Sequence, residues 1–261
     1  MMTERVLPLQ GVHNFRDCGG YAVSGGGRLR RGVLWRSGQH HGATDADLAA
    51  IAGLGLDSVF DLRSSKERAS HPCRRPQGFG AEVFLCGDSE RVHAPHVAAA
   101  HVRPQRTPES MRENLLRAYT GIAFRPELQA MMRGWFARLS KDGGPSLIHC
   151  MAGKDRTGIA VAMLHLVAGV HRDDVMEDYL LTNTAGDSEA RITSGAETIT
   201  VVSGPLEEDV VRVLMGVEPE YLETAFAAVE ARHGTVDGYL EEALGAGPAT
   251  RERIRGVLLE G

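Results

Sequence analysis

Cys150 and Arg156 bracket five residues, Met151-Ala152-Gly153-Lys154-Asp155, and the stretch from His149 to Gly158 carries most of the chemistry this chain can offer. Cysteine supplies a sulfur nucleophile, and arginine a planar, permanently charged fork that fits two oxygens of an oxyanion. Upstream, Ser146-Leu147-Ile148 is a short apolar run after a Gly143-Gly144-Pro145 turn; downstream, Thr157 to Leu164 reads as a buried helix. The loop therefore falls between the carboxyl end of a strand and a helix N-terminus, where unpaired N–H groups and about half a unit of positive charge attract anions. Met151, Ala152, Gly153, Lys154, Thr157 and Gly158 would line a cradle for a phosphate, and Arg156 would close it by a bidentate contact without any metal. The same field would stabilise a thiolate at Cys150, with His149 and the Thr157 hydroxyl as local helpers.

A thiolate that attacks phosphorus expels a poor alkoxide or phenoxide, so the chemistry needs a proton donor on the leaving-group side. Ser58-Val59-Phe60 reads as a short strand that delivers Asp61-Leu62-Arg63-Ser64-Ser65 at its carboxyl end, where open α/β sheets place functional side chains. Asp61 is the first candidate acid, with Arg63 beside it as a substrate contact. The alternative is that Asp61 and Arg63 form a structural ion pair or cap Lys66-Glu67-Arg68. Asp155 is the rival: it either orients Arg156 and the loop backbone or approaches the leaving oxygen itself.

Cys-x5-Arg-Thr preceded by His resembles the signature loop of the cysteine-based phosphatases, and the longer HCMAGKDRTG resembles that of the PtpB-like, atypical bacterial dual-specificity and tyrosine phosphatases. NFRD-x-GGY at 14–21 followed by LWRSG at 34–38 resembles the opening of the same family, and DYLLTN at 178–183 is similar to its members too. Read from the residues alone, the first of these is either a β-hairpin on a sheet edge or a direct contributor to catalysis, and the last only a packing helix. The resemblance implies a phosphoric monoester hydrolase, a protein-tyrosine or dual-specificity phosphatase acting through a phosphocysteine intermediate without a cofactor. It also implies the acid role for Asp61, because FDLRSS lines up with the family's DLRSS-type segment. The implied partners are a phosphorylated protein or a phospholipid head group, with phosphate as product and inhibitor. Lys154 also stands in the CKAGKxRTG loop of phosphoinositide phosphatases, but Met151 replaces their first lysine, so phosphotyrosine comes first and phosphoinositide is the alternative. Two readings of other classes stay open: a catalytically silent phosphate-binding module, which need not keep Cys150, and rhodanese-like sulfur transfer, which would not need Asp61.

The elements that must position these residues follow from pattern. The 261 residues, 43% of them hydrophobic, suffice for one sizeable α/β core, expected as a single domain over 1–261: a central, mostly parallel sheet flanked by helices. Thr44 caps a helix carrying Leu48, Ile51 and Leu54; Leu128, Met131, Met132, Trp135, Phe136 and Leu139 predict a helix over 126–140; the DDVMEDYLL run at 173–181 predicts another. Residues 79–85 read as a strand, with Cys86 after it a small core residue. From 87 to 122 the pattern weakens, and the segment is read as a mobile helical insertion or lid whose His93, His96, His101, Arg103 and Arg106 either attract an anion or are merely solvated. Residues 186–204, rich in Thr, Ser and Gly, give no firm assignment, while 205–261 end in helices at 219–233, 236–244 and 248–259.

A net charge of −5 gives no general electrostatic reason to bind nucleic acid or an anionic membrane. Cys18, Cys73, Cys86 and Cys150 form no C-x-x-C pair, which argues against a zinc site or a redox dithiol and favours a reducing compartment. No apolar leader and no run of about twenty apolar residues is present, so a cytoplasmic location is expected, with secretion lacking a signal peptide left open.

Overall fold

The computed structural model describes residues 5–88, 94–101, 106–141 and 144–261. In chain order the strands are β1 (Arg16–Asp17), β2 (Arg28–Leu29), β3 (Leu34–Ser37), β4 (Ser58–Asp61), β5 (Glu82–Leu85), β6 (Ser146–His149) and β7 (Leu259–Glu260). Five of them form the central sheet in the order β1-β3-β6-β4-β5, and β2 pairs with β7 in a small ribbon. β3, β6, β4 and β5 run parallel, with β1 antiparallel at the edge, so the expected mostly parallel sheet is what forms. The register puts His149 beside both Ser37 and Asp61, so three neighbouring strands end at one level. That shared edge is where the chemistry collects, as in other open parallel sheets.

Helix α1 (Asp45–Ala52) starts at Thr44 through a capping box with Asp47, and Ile51 joins Val12, Phe15, Val59 and Leu147 in a cluster on one face of the sheet. The other face carries the larger core, which includes Phe60, Ile148, most of α6 (Asp155–Ala168) and the buried stripe of α5 (Pro126–Leu139). α6 is buried around almost its whole circumference, which suits its run of Ile, Ala, Val, Met and Leu, and it stops at Gly169 in the left-handed region. The stripe predicted for α5 is buried residue for residue. Between α1 and α5 lie α2 (Ser65–Ser70), α3 (Pro95–His101) and α4 (Pro108–Ile122).

Over 87–122, the segment read as a lid, the described residues form α3 and α4. α4 begins at a Thr107–Ser110 capping box and buries Met111, Leu115, Tyr119 and Ile122 completely against α10 (Pro219–His233) and the core, so it is not an appendage. Of the basic residues noted in that segment, His93 and Arg103 and the side chain of His101 lie outside the described residues. Residues 186–204, unassigned from sequence, form α8 (Ser188–Ser203), capped by Asp187 and followed by α9 (Glu208–Met215), after α7 (Arg172–Leu180). The terminal helices α10, α11 (Val236–Glu242) and α12 (Pro248–Leu258) fall close to their predicted spans. Among the described residues no helix is long and apolar enough to cross a membrane.

Candidate active site

Cys150 follows β6 directly and is buried, and α6 begins five residues later, so strand, loop and helix stand as their pattern requires. Gly153 has φ +68°, and a Cβ there would meet the Ser37 carbonyl carbon and oxygen at 2.4 Å, so glycine is required twice over. Its carbonyl accepts hydrogen bonds from Asn14 Nδ2 and Arg36 Nη2, each at 2.9 Å, while the Met151 carbonyl accepts from the Gln39 N–H at 2.9 Å. With these carbonyls drawn to the wall, the loop amides are free to face the centre. Asn14 itself sits at φ +59°, a conformation that its short amide tolerates.

The wall is a buried ion cluster. Arg36 Nη1 donates to Asp178 Oδ2 at 2.7 Å, Arg16 Nε lies 3.6 Å from Asp178 Oδ1, and Arg16 Nη2 donates to the Asp178 carbonyl at 2.8 Å. Burial would raise the Asp178 carboxyl, but the two guanidiniums outweigh it and bring it down to about 2. Arg16 bears the opposite cost: burial and the neighbouring Arg36 push it down to about 10, still charged at neutral pH. Two cations thus share one carboxylate, and the NFRD, LWRSG and DYLLTN segments meet behind the loop. From sequence alone the first had read as an edge hairpin or a contributor to catalysis, and the last as a packing helix.

Arg156 is held from the side away from the loop. Its Nη1 donates to the Leu62 carbonyl at 2.9 Å and to Glu67 Oε2 at 2.8 Å, and its Nη2 donates to Glu67 Oε1 at 2.9 Å. Nε is buried and meets no hydrogen-bond partner among the described residues. Burial would lower this guanidinium, but Glu67 foremost and then a charge on the Cys150 sulfur raise it, so sulfur and guanidinium are electrostatic neighbours. Glu67, which anchors the guanidinium, was seen in the sequence only as part of a charged run after Asp61.

Asp61 and Arg63 form the ion pair that stood as the alternative. Arg63 donates to Asp61 from Nε at 2.8 Å, from Nη2 at 2.7 Å and from its backbone N–H at 3.1 Å. Burial would raise Asp61, but His149 and the Arg63 contacts hold it far below the usual carboxylate range. Arg63 Nη2 also lies 3.0 Å from Cys73 Sγ, so the side chain named as a substrate contact is turned inward and 1% exposed. Asp61, Cys73 and His149 present ligand atoms within 4.8 Å of one another, yet the Arg63 guanidinium already bonds two of them, and a metal ion would have to displace that charge.

The two expected helpers of the thiol are placed otherwise. The His149 ring stacks on His40 at 5.2 Å, its Nε2 lies 3.8 Å from Asp61, and burial, opposed by Asp61, brings it down to about 4, so it is neutral near pH 7. The Thr157 hydroxyl is buried without a hydrogen-bond partner among the described residues.

Asp155 occupies a different kind of neighbourhood. Its Oδ1 accepts from the Tyr119 hydroxyl at 2.8 Å and from Lys154 Nζ at 2.7 Å, and its Oδ2 lies 2.9 Å from His96 Nδ1. Tyr119 continues to the Tyr179 hydroxyl at 2.8 Å. Burial would raise the Asp155 carboxyl, but Lys154 and His96 hold it well below the usual range. Lys154, expected to meet a second phosphate, is fully buried and reaches the Gly216 carbonyl at 3.2 Å. In this structure it serves Asp155 and the α9 end rather than the mouth of the loop. Beyond Met151 and Ala152 opens a cleft lined by His13, Gln39, His96 and, from α8, Arg191 and Thr198. A wider groove continues past His41, Lys66, His71, Val97 and Val201.

The sequence model described as "Tyrosine phosphatase family" matches residues 7–260. A Cupriavidus necator protein provisionally named a tyrosine-protein phosphatase is 34% identical over 98% of this chain and 89% of its own length. The triple specificity protein phosphatase PtpB of Mycobacterium tuberculosis is 32% identical over 99% of this chain and 100% of its own. A tyrosine-protein phosphatase of Nostoc commune is 28% identical over 76% of this chain and 65% of its own.

Proposed function

The chain belongs to the tyrosine phosphatase family, and from that premise we propose a two-step cleavage of phosphate monoesters in which Cys150 is the nucleophile, Arg156 the phosphate clamp and Asp155 the proton donor. The observation that carries this reading is the strand–loop–helix geometry that puts buried Cys150 directly after β6 and Arg156 in the first turn of α6. The thiolate attacks phosphorus in line, the P–O bond breaks, and the departing oxygen takes a proton from Asp155. The loop amides and Arg156 hold the phosphocysteine. Water then attacks phosphorus, returns a proton to Asp155, and releases phosphate and the thiolate.

The acid role passes to Asp155 from Asp61 on the character of their partners. Three N–H groups of one permanently charged arginine bind Asp61, and nothing in the reaction loosens them. The partners of Asp155 are a phenol, an imidazole and an amine, all titratable. A phosphate dianion arriving in the cradle offsets the charge of Lys154 and raises the hold of Asp155 on a proton. Asp61 then orients Arg63 and the base of the loop.

For substrate the reading is protein phosphotyrosine first, with phosphoserine and phosphothreonine as further substrates. The groove beside the loop offers Val97 and Met151 to an aryl ester, and the inward turn of Lys154 removes a contact a phosphoinositide would use. Turnover of a phosphotyrosine peptide and of a phosphoinositide, with chelator present, tests both points. Cys150→Ser abolishes activity; Asp155→Asn slows it by roughly a hundredfold or more; Asp61→Asn acts mainly through stability. Activity surviving in Cys150→Ser ends the thiolate mechanism, an unaffected Asp155→Asn returns the acid role to Asp61, and faster turnover of the lipid reverses the substrate order.

A further inference from the structure

His96 stands where no loop motif points, 59 positions before Asp155, in the segment expected to be a lid. α3 nevertheless carries it into the core: its side chain is 3% exposed, its Nδ1 lies 2.9 Å from Asp155 Oδ2, and its ring borders the cleft beside Met151, Ala152 and Arg191. Among the described residues Nε2 meets no hydrogen-bond partner, and the residue lines the cleft. The imidazole therefore bridges the carboxylate and the cavity that receives the ester.

We propose that His96 is a positioning residue for proton transfer: it fixes the Asp155 carboxyl so that the proton goes to the leaving oxygen. This rests on Asp155 as the donor. The carboxyl has two oxygens and a rotatable bond. Tyr119 and Lys154 hold Oδ1, His96 alone among the described residues holds Oδ2, and a carboxyl secured at one oxygen swings about it. The other charged groups felt at His96 are Lys154 and Arg156, on the loop and the start of α6, and Glu67 on α2. Their cationic members disfavour an imidazolium, and burial does so more strongly, so His96 works chiefly as a neutral N–H donor. A lost contact at Oδ2 therefore harms the step that needs an acid more than it harms phosphate binding.

Leaving-group dependence separates this role from a structural one. Phenyl phosphate requires a proton for its departing phenoxide, whereas 2,4-dinitrophenyl phosphate releases an oxyanion stable without one. The expected loss of kcat/KM, which reports the first step and not the hydrolysis shared by both esters, is for His96→Phe roughly 30-fold on the first ester and under about 3-fold on the second. His96→Asn, whose amide nitrogen stands at the place of Nδ1, keeps both rates within about 5-fold of wild type. His96→Gln moves the donor one methylene outward and repeats the selective loss, which keeps the proposal testable if the phenylalanine variant does not fold. Inhibition by inorganic phosphate, unchanged within about 2-fold, reports an intact cradle. Equal losses on the two esters, or no loss in both His96→Phe and His96→Gln, overturn the proposal. Asp155→Asn run in the same series keeps the two readings apart. If it shows no leaving-group selectivity, the acid assignment itself fails; if it does while the His96 variants do not, only the role of His96 fails.

Discussion

Behind the phosphate loop, Arg16 and Arg36 surround Asp178, and Arg36 reaches through to the Gly153 carbonyl; in front of it, Asp155 is bordered by His96, Tyr119 and Lys154. Both are buried clusters around one carboxylate, but the first is built from cations that keep their charge at any physiological pH and the second from groups that exchange protons. The difference shows how one fold separates two demands. A cradle must hold its shape through the cycle, which favours charge-assisted bonds that do not titrate. A proton donor must change state within the cycle, which favours partners able to follow it.

The largest effect that could break this comparison is on stability. Asp178→Ala leaves two guanidiniums buried around nothing and is expected to cost about 3–5 kcal/mol in chemical denaturation, the usual range for removing one partner of a buried pair. If the variant unfolds like wild type, the rear cluster is not what holds the wall. The strand-end histidine sharpens the contrast next. His149 is depressed from 6.5 to about 4 by burial, against the pull of Asp61, so the unfolded chain takes up a proton that the native state refuses. Stability from this residue is complete above about pH 6.5 and falls as the pH drops toward about 4, by up to about 3 kcal/mol. Unfolding free energies measured across that window should decline in wild type and flatten in His149→Gln; parallel curves would mean that the ring is protonated in the native state. The smallest effect is local. Gly153→Ala places a Cβ against the Ser37 carbonyl at a φ that L-residues avoid, for a loss of about 1–3 kcal/mol together with weaker inhibition by phosphate. Unchanged inhibition would show that the loop tolerates the shift and that the rear wall does not set its shape.

Much of the site was legible because its parts are adjacent in the chain. A strand, a cysteine, small residues, an arginine and a helix follow one another within residues 146–168, and local order suffices to put them in place. The stripe of α5 was legible for a similar reason, since period 3.6 is a local property. Glu67, Tyr119, Arg36 and Asp178 carry no role in the sequence reading, and His96 only a choice between attracting an anion and mere solvation, because each acts on a partner far along the chain. One signal was present: Arg36 stands within an apolar strand, LWRS, where an unpaired charge would be prohibitive and a distant partner is therefore required. Residues 188–203 formed a helix without a clear stripe because α8 covers the cleft as well as packing on the core, so its Arg191 and Thr198 serve a cavity, not an apolar face.

The sequence alone determined that a thiol and a guanidinium would share the start of one helix, since both lie on a short, contiguous piece of chain whose geometry is nearly forced. The partners of each carboxylate, on which our proposal for the proton donor rests, were decided only in three dimensions, because a neighbour such as Arg63 or His96 changes a carboxyl through distance and burial, and neither quantity is written in the order of residues.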